Sequence, residues 1–122
     1  MSSNKPQDDL VLDRKAALGF VGHDSEFLRD MVETFADYYP SQLERIEAAI
    51  DAKDASELRE AAHQLKGSVS IFCAHASVAT AYELECSGRD GNLDDATSLH
   101  RQLTGRLNEL QSALNDLVVE ME

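Results

Sequence analysis

The chain has 122 residues, 43% of them hydrophobic, enough for one globular domain with a single core and too few for two. Its 11 Lys and Arg against 23 Asp and Glu leave a net charge of −12, which repels nucleic-acid phosphates and anionic lipid and argues against DNA, RNA or membrane surfaces as partners. With 6 Gly and only 2 Pro, turn signals are sparse, so long helices are expected rather than many short strands.

Residues 1–9 carry no periodic apolar pattern and read as a flexible tail or linker, with the domain proper over 10–122. No apolar run approaches the roughly 18 residues of a membrane span, and the opening Met1-Ser2-Ser3-Asn4-Lys5-Pro6 lacks the apolar stretch of a signal peptide. A cytoplasmic location is expected. Two cysteines, Cys73 and Cys86, are too few for a disulfide framework and read as small apolar packers.

A short helix is expected from about Asp13 to Gly19, stopped by the Gly19 to Gly22 stretch. Asp24 stands where an N-cap is wanted, its carboxylate able to accept bonds from first-turn amides. From there Phe27, Leu28, Met31, Phe35, Tyr39, Leu43, Ile46 and Ile50 make one long apolar stripe, and Pro40 within it predicts a kink or break. Asp54 and Glu57 have capping-box spacing and open a helix to about Phe72. A turn at Cys73 and Ala74 leads into a helix through Val78, Ala81, Tyr82 and Cys86 that stops around Gly88 to Gly91. Asn92 caps the last helix, whose stripe reads Ala96, His100, Leu103, Leu107, Leu110, Leu114 and Leu117. Four long helices with short connections predict an all-α, antiparallel four-helix bundle with an additional short N-terminal helix.

One polar residue stands apart from this core. On a helical wheel at about 100° per residue, Leu58, Ala61, Ala62, Leu65, Val69 and Phe72 cluster within about 60° of one axis, whereas His63 falls at about 140° and faces solvent. Its helical neighbours are Arg59, Lys66, Gly67 and Ser70. A neutral imidazole, with an ordinary pKa near 6.5, is a competent nitrogen nucleophile at cellular pH. A phosphoryl group on it would meet Lys66 and Arg59 as cations. Gly67 would open room for a partner at about 1 kcal/mol of helix propensity. From Ala61 to Tyr82 there is no Asp or Glu, so local repulsion of a phosphoryl group is expected to be low.

Other readings stand beside this one. A solvent-facing histidine is more often an ordinary surface residue. The acid-free run fits two well-buried helices, and Gly67 fits close helix packing, although it lies opposite the core. His63, Cys73, His75 and Cys86 are metal-ligand types, but their spacing matches no compact zinc pattern. His100 lies on the apolar seam as a rim or hydrogen-bonded residue, and His23 and His75 have no constellation around them.

The hexapeptide His63-Gln64-Leu65-Lys66-Gly67-Ser68 resembles the signature of histidine-containing phosphotransfer (HPt) domains, and it falls on the right helix. Ala61-Ala62, Ala74, Leu84-Glu85 before a glycine turn, and the Asp51 to Asp54 turn extend the resemblance over roughly residues 24–118. The resemblance implies phosphorylation of an imidazole nitrogen of His63 and docking of response-regulator receiver domains over that face. Lys66 would stabilise the phosphoryl group and Gly67 would give access, with Arg59, Gln64, Ser70 and Ile71 as partner contacts. Ile71 falls at about 220° on the wheel, outside the core, with burial under the N-terminal helix as its alternative.

In such a family the receiver supplies the aspartate and the Mg²⁺, so the chain itself is expected to be a phosphoryl carrier without cofactor, metal or kinase activity of its own. This agrees with the lack of a Gly-rich phosphate loop or kinase signature. Partners would be receiver domains and a hybrid sensor kinase, with the chain a monomer. The rival function is a non-catalytic helical protein-interaction module. One departure is Cys73, where many family members have Gly or Asn, a position that often needs an unusual backbone conformation.

Overall fold

The structure is a computed structural model that describes residues 11–121; the expected tail over 1–9 lies outside the described residues. It contains α1 (Arg14–Phe20), α2 (Ser25–Asp51), α3 (Ala55–Ser70), α4 (His75–Asp90) and α5 (Ala96–Met121), and no strand among the described residues. The four long helices alternate in direction because their connections are short. Each packs on its chain neighbours, and α5 closes the ring on α2. No helix among the described residues is long and apolar enough to cross a membrane.

The core follows from apolar spacing. Leu28, Val32, Phe35, Leu43, Ile46 and Ala49 line the inner face of α2, and Leu58, Ala61, Ala62, Leu65 and Val69 that of α3. On α5 the buried series is Ala96, Leu99, Leu103, Leu107, Leu110, Leu114 and Leu117, whose steps of three and four keep one face inward. Leu99 is buried beside His100, which is the hydrogen-bonded rim residue expected: its partly buried ring has Nε2 3.0 Å from the Leu43 carbonyl and must donate to it. Of the predicted α2 stripe, Leu28, Phe35, Leu43 and Ile46 are buried and Met31, Tyr39 and Ile50 partly so, while Phe27 lies outside and Val32 and Ala49 join the core.

Helix starts are set by short polar side chains. The Asp13 carboxylate accepts from the Ala16 amide, and Asp24 accepts from the amides of Glu26 and Phe27. The capping box at α3 is only half made: Asp54 accepts from the Glu57 amide, but the Glu57 carboxylate is drawn away by Arg45. Asn92 accepts from the Asp94 amide and so closes the turn before α5 rather than capping the helix.

Pro40 neither breaks nor ends α2, which runs through it for 27 residues. Packing along its inner face holds the helix together where the proline removes one hydrogen bond. Three junctions share one template, in which a left-handed residue precedes the next N-cap. His23, Lys53 and Cys73 have φ of +59°, +56° and +55°, and Asp24, Asp54 and Ala74 follow them. The unusual backbone suspected at Cys73 is therefore present without the glycine that would make it cheap. The Cys73 carbonyl accepts from the Asp13 amide at 3.1 Å, which ties α1 to this turn.

Helices α3 and α4 lie closest together, across the small buried residues Ala61, Ala62, Ala81 and Gly88. A Cβ at Gly88 would sit 2.5 Å from the Arg59 nitrogen and 2.6 Å from the Ala55 carbonyl oxygen. Gly88 is thus a contact glycine that lets two backbones touch, not part of the turn; Gly91, at φ +72°, makes the turn.

Candidate phosphotransfer site

His63 stands mid-way along α3 on the crest between its two neighbouring helices, its side chain 65% exposed. Toward α4, its Nδ1 lies 3.1 Å from Oε2 of Glu85. The other oxygen of the same carboxylate is 2.7 Å from Nζ of Lys66, which also lies 5.1 Å from the centre of the Tyr82 ring. The exposed Tyr82 is therefore a surface partner of the lysine.

Glu85 is 18% exposed, and burial alone would push its carboxyl pKa up. Hydrogen bonds from Lys66 and then from His63 outweigh burial and hold it below the ordinary carboxylate range. An ionised carboxylate can only accept, so Nδ1 must carry a proton and donate it. That leaves the lone pair on Nε2, which makes no hydrogen bond among the described residues.

This arrangement corrects one expectation. The acid-free run from Ala61 to Tyr82 does not give an acid-free surface, because the α3–α4 hairpin folds Glu85 back against a residue 22 positions earlier. Glu60 and Glu85, with Ser56, Arg59 and His63, line a hollow of about 310 Å³ beside the ring. The sequence reading passed over Glu85 as a site residue. Its signal was available in the period of α4: Glu85 follows the buried Leu84 and Ala81 by one and four positions, at the edge of the face turned to α3.

The remaining predicted residues distribute around the crest. Arg59 is exposed at the rim of the hollow. Gln64 is exposed toward α2, where its Oε1 accepts from Nη1 of Arg45 at 2.8 Å. Arg45 also grips Glu57 with two bonds of 2.6 and 3.0 Å. That contact, set against some burial, lowers the Glu57 pKa. Gly67 is exposed, and a Cβ there would meet nothing within 4 Å, so packing inside this chain does not require a glycine. Ser70 is exposed, with its hydroxyl donating to the Gly67 carbonyl at 2.9 Å. Ile71, just past the end of α3, is 41% exposed and not covered by α1.

Among the described residues, no three His, Cys, Asp or Glu side chains gather as a metal ion would need, and Cys73 and Cys86 are free thiols.

An all-α bundle with an exposed histidine on one long helix defines a class, and the family comparison agrees with it. The Hpt domain model matches residues 30–113, and the chain belongs to that family. Among solved structures it is similar to histidine-containing phosphotransfer protein B (HptB) from Pseudomonas aeruginosa PAO1. The two are 26% identical with a TM-score of 0.82, over 89% of this chain and 95% of that one. No curated protein matches the chain. Family and likeness together support a histidine phosphotransfer role in a phosphorelay.

Proposed function

We propose that the chain carries its phosphoryl group on Nε2 of His63 and exchanges it with the aspartate of a receiver domain. The observation that carries this reading is the hydrogen bond from Nδ1 of His63 to Glu85. It selects the tautomer whose free lone pair lies on the nitrogen turned from Glu85, on an exposed ring.

In the forward step the Nε2 lone pair forms the N–P bond as the P–O bond to the aspartyl oxygen breaks and the carboxylate leaves. Nδ1 keeps its proton, so the ring becomes positively charged, and Glu85 stabilises that charge across 3.1 Å. The same contact supports the reverse step, since a protonated ring is the better leaving group. Lys66, already at the site, balances charge on the phosphoryl oxygens. Arg59 and Gln64 stand at the rim to meet the partner, and Ser70 and Ile71 do so further along α3. The open space around Gly67 lets the partner's active site come close to the helix.

The divalent cation and the acceptor carboxylate belong to the receiver, and a hybrid sensor kinase is the upstream source. On this reading the chain is a cytoplasmic monomer without kinase activity of its own.

The test is incubation with a phosphorylated receiver, with His63→Gln as control. Acid-labile, base-stable label should appear on the wild type and be absent from the variant. A wild type that stays unlabelled across several receivers, while still binding them, would instead make it a protein-interaction module.

A further inference from the structure

The residue that follows His63 is held from another helix. Arg45, on α2, has a side chain only 28% exposed, and its guanidinium makes hydrogen bonds to two side chains of α3. Nε and Nη2 donate to the two oxygens of Glu57 at 2.6 and 3.0 Å, a paired contact that fixes the plane of the fork. With that plane set, Nη1 donates to Oε1 of Gln64 at 2.8 Å. Glu57 and Gln64 are two helical turns apart on one face of α3, so a single guanidinium reaches both.

The contact decides which end of the Gln64 amide looks outward. A guanidinium has donors and no acceptor, so only the carbonyl end of the amide can face it. The amide nitrogen is therefore turned away from Arg45, and among the described residues it has no hydrogen-bond partner. Gln64 is exposed, so two N–H donors stand in solvent on the residue next to the nucleophile. An unrestrained glutamine samples several rotamers and offers oxygen or nitrogen alike, and ordering it on docking costs rotamer entropy that Arg45 has already removed. Glu57 by itself ties α2 to α3, so the effect of the third bond falls on Gln64.

We infer that Arg45 is a positioning residue for phosphotransfer: it presents the Gln64 amide as a preset pair of donors to a carbonyl or carboxylate oxygen on the receiver surface that meets His63. The inference rests on the phosphotransfer reading above. A receiver with such an oxygen at that place is favoured. One that brings N–H groups there sets donor against donor and leaves both unpaired, so the clamp selects among receivers as well as binding them.

The experiment is a double-mutant cycle in the full chain, with Arg45→Met, Gln64→Met and both together. Arg45→Lys is added because it keeps a charge opposite Glu57 but not the fork, and it carries the same comparison should Arg45→Met not fold. Each chain is labelled with phosphoramidate, a small donor that brings no receiver surface, and is then assayed for transfer to a purified receiver and for binding of the unphosphorylated receiver. Labelling should proceed at the wild-type rate. Each single methionine variant should need roughly three- to tenfold more receiver for half-maximal transfer, with little change in maximal rate. The double variant should need no more than either alone, and Arg45→Lys should follow Arg45→Met. Without receiver, nitrogen relaxation of the Gln64 side-chain amide should show it ordered in wild type and mobile in Arg45→Met. Unchanged receiver dependence in the Arg45 variants would overturn the inference. So would additive losses in the cycle, which would mean that Arg45 acts through the fold alone, or slowed phosphoramidate labelling in both methionine variants, which would place the amide on the phosphoryl group instead. A wild type labelled by neither donor, whose receiver binding still weakens equally in Arg45→Met and Gln64→Met, would fail the phosphotransfer reading and leave the clamp standing.

Discussion

Nδ1 of His63 and Nζ of Lys66 share one carboxylate, and that sharing gives Glu85 two tasks: fixing a tautomer and holding a cation in reserve. Glu85→Gln keeps the shape but can present either an acceptor or a donor to the ring, and it no longer opposes the charge that the ring gains on phosphorylation. Hydrogen bonds to charged groups contribute about 1.5–3 kcal/mol, so transfer to or from a receiver should slow by roughly 10- to 100-fold in this variant. Nitrogen NMR of His63 should show a mixture of tautomers where the wild type shows the Nδ1-protonated form. An unchanged tautomer with an unchanged rate would show that the carboxylate does not act on the ring. Glu85 was hard to read from sequence because its role depends on which residue of α3 faces it across the hairpin. His63, Lys66 and Gly67 could be read together because they share one helix and a fixed period.

Helices α3 and α4 use their glycines in opposite ways. Gly88 lies where two backbones touch, and the added methyl of Gly88→Ala would drive the hairpin apart. That overpacking should cost about 1–3 kcal/mol, seen as a lowered denaturation midpoint. Gly67→Ala places its methyl in open space and should stabilise the chain by about 0.5–1 kcal/mol through helix propensity. Under the proposed mechanism the same variant should slow receiver transfer, so stability and activity would move in opposite directions. A Gly67→Ala chain that is both more stable and fully active would remove the access role of Gly67. Sequence patterns located the five helices described above to within a few residues, because apolar spacing and N-caps are local. They placed Phe27 on the apolar stripe although it is exposed, at a margin where one helical step separates core from rim. The break that Pro40 allowed does not occur, since a local hydrogen-bond defect is outweighed by packing along a 27-residue helix.

Across the whole molecule, acid sensitivity follows from two carboxylates held by cations from other parts of the bundle. Arg45 on α2 grips Glu57 on α3, and Lys66 on α3 pairs with Glu85 on α4, so the contacts tie three helices together. Both carboxyl pKa values are lowered in the folded chain. Their contribution is therefore complete above the ordinary carboxylate value of about 4.3 and is lost as pH falls through the lower folded values. Denaturation of wild type and of a Glu57→Gln/Glu85→Gln chain should differ most at neutral pH and converge on acidification below the ordinary carboxylate range. A gap that stays constant with pH would mean that these ion pairs do not stabilise the bundle.

Lys66 is already engaged before any phosphoryl group arrives, with Glu85 at 2.7 Å and the Tyr82 ring beneath it. In the proposed transfer it must trade one anion for another, so little net attraction is gained when cargo is loaded and little is forfeited when cargo departs. A lone, unopposed ammonium would grip the phosphoryl group and slow its release. A lysine with a standing alternative keeps loaded and empty states close in energy, as suits a courier that must hand over in either direction.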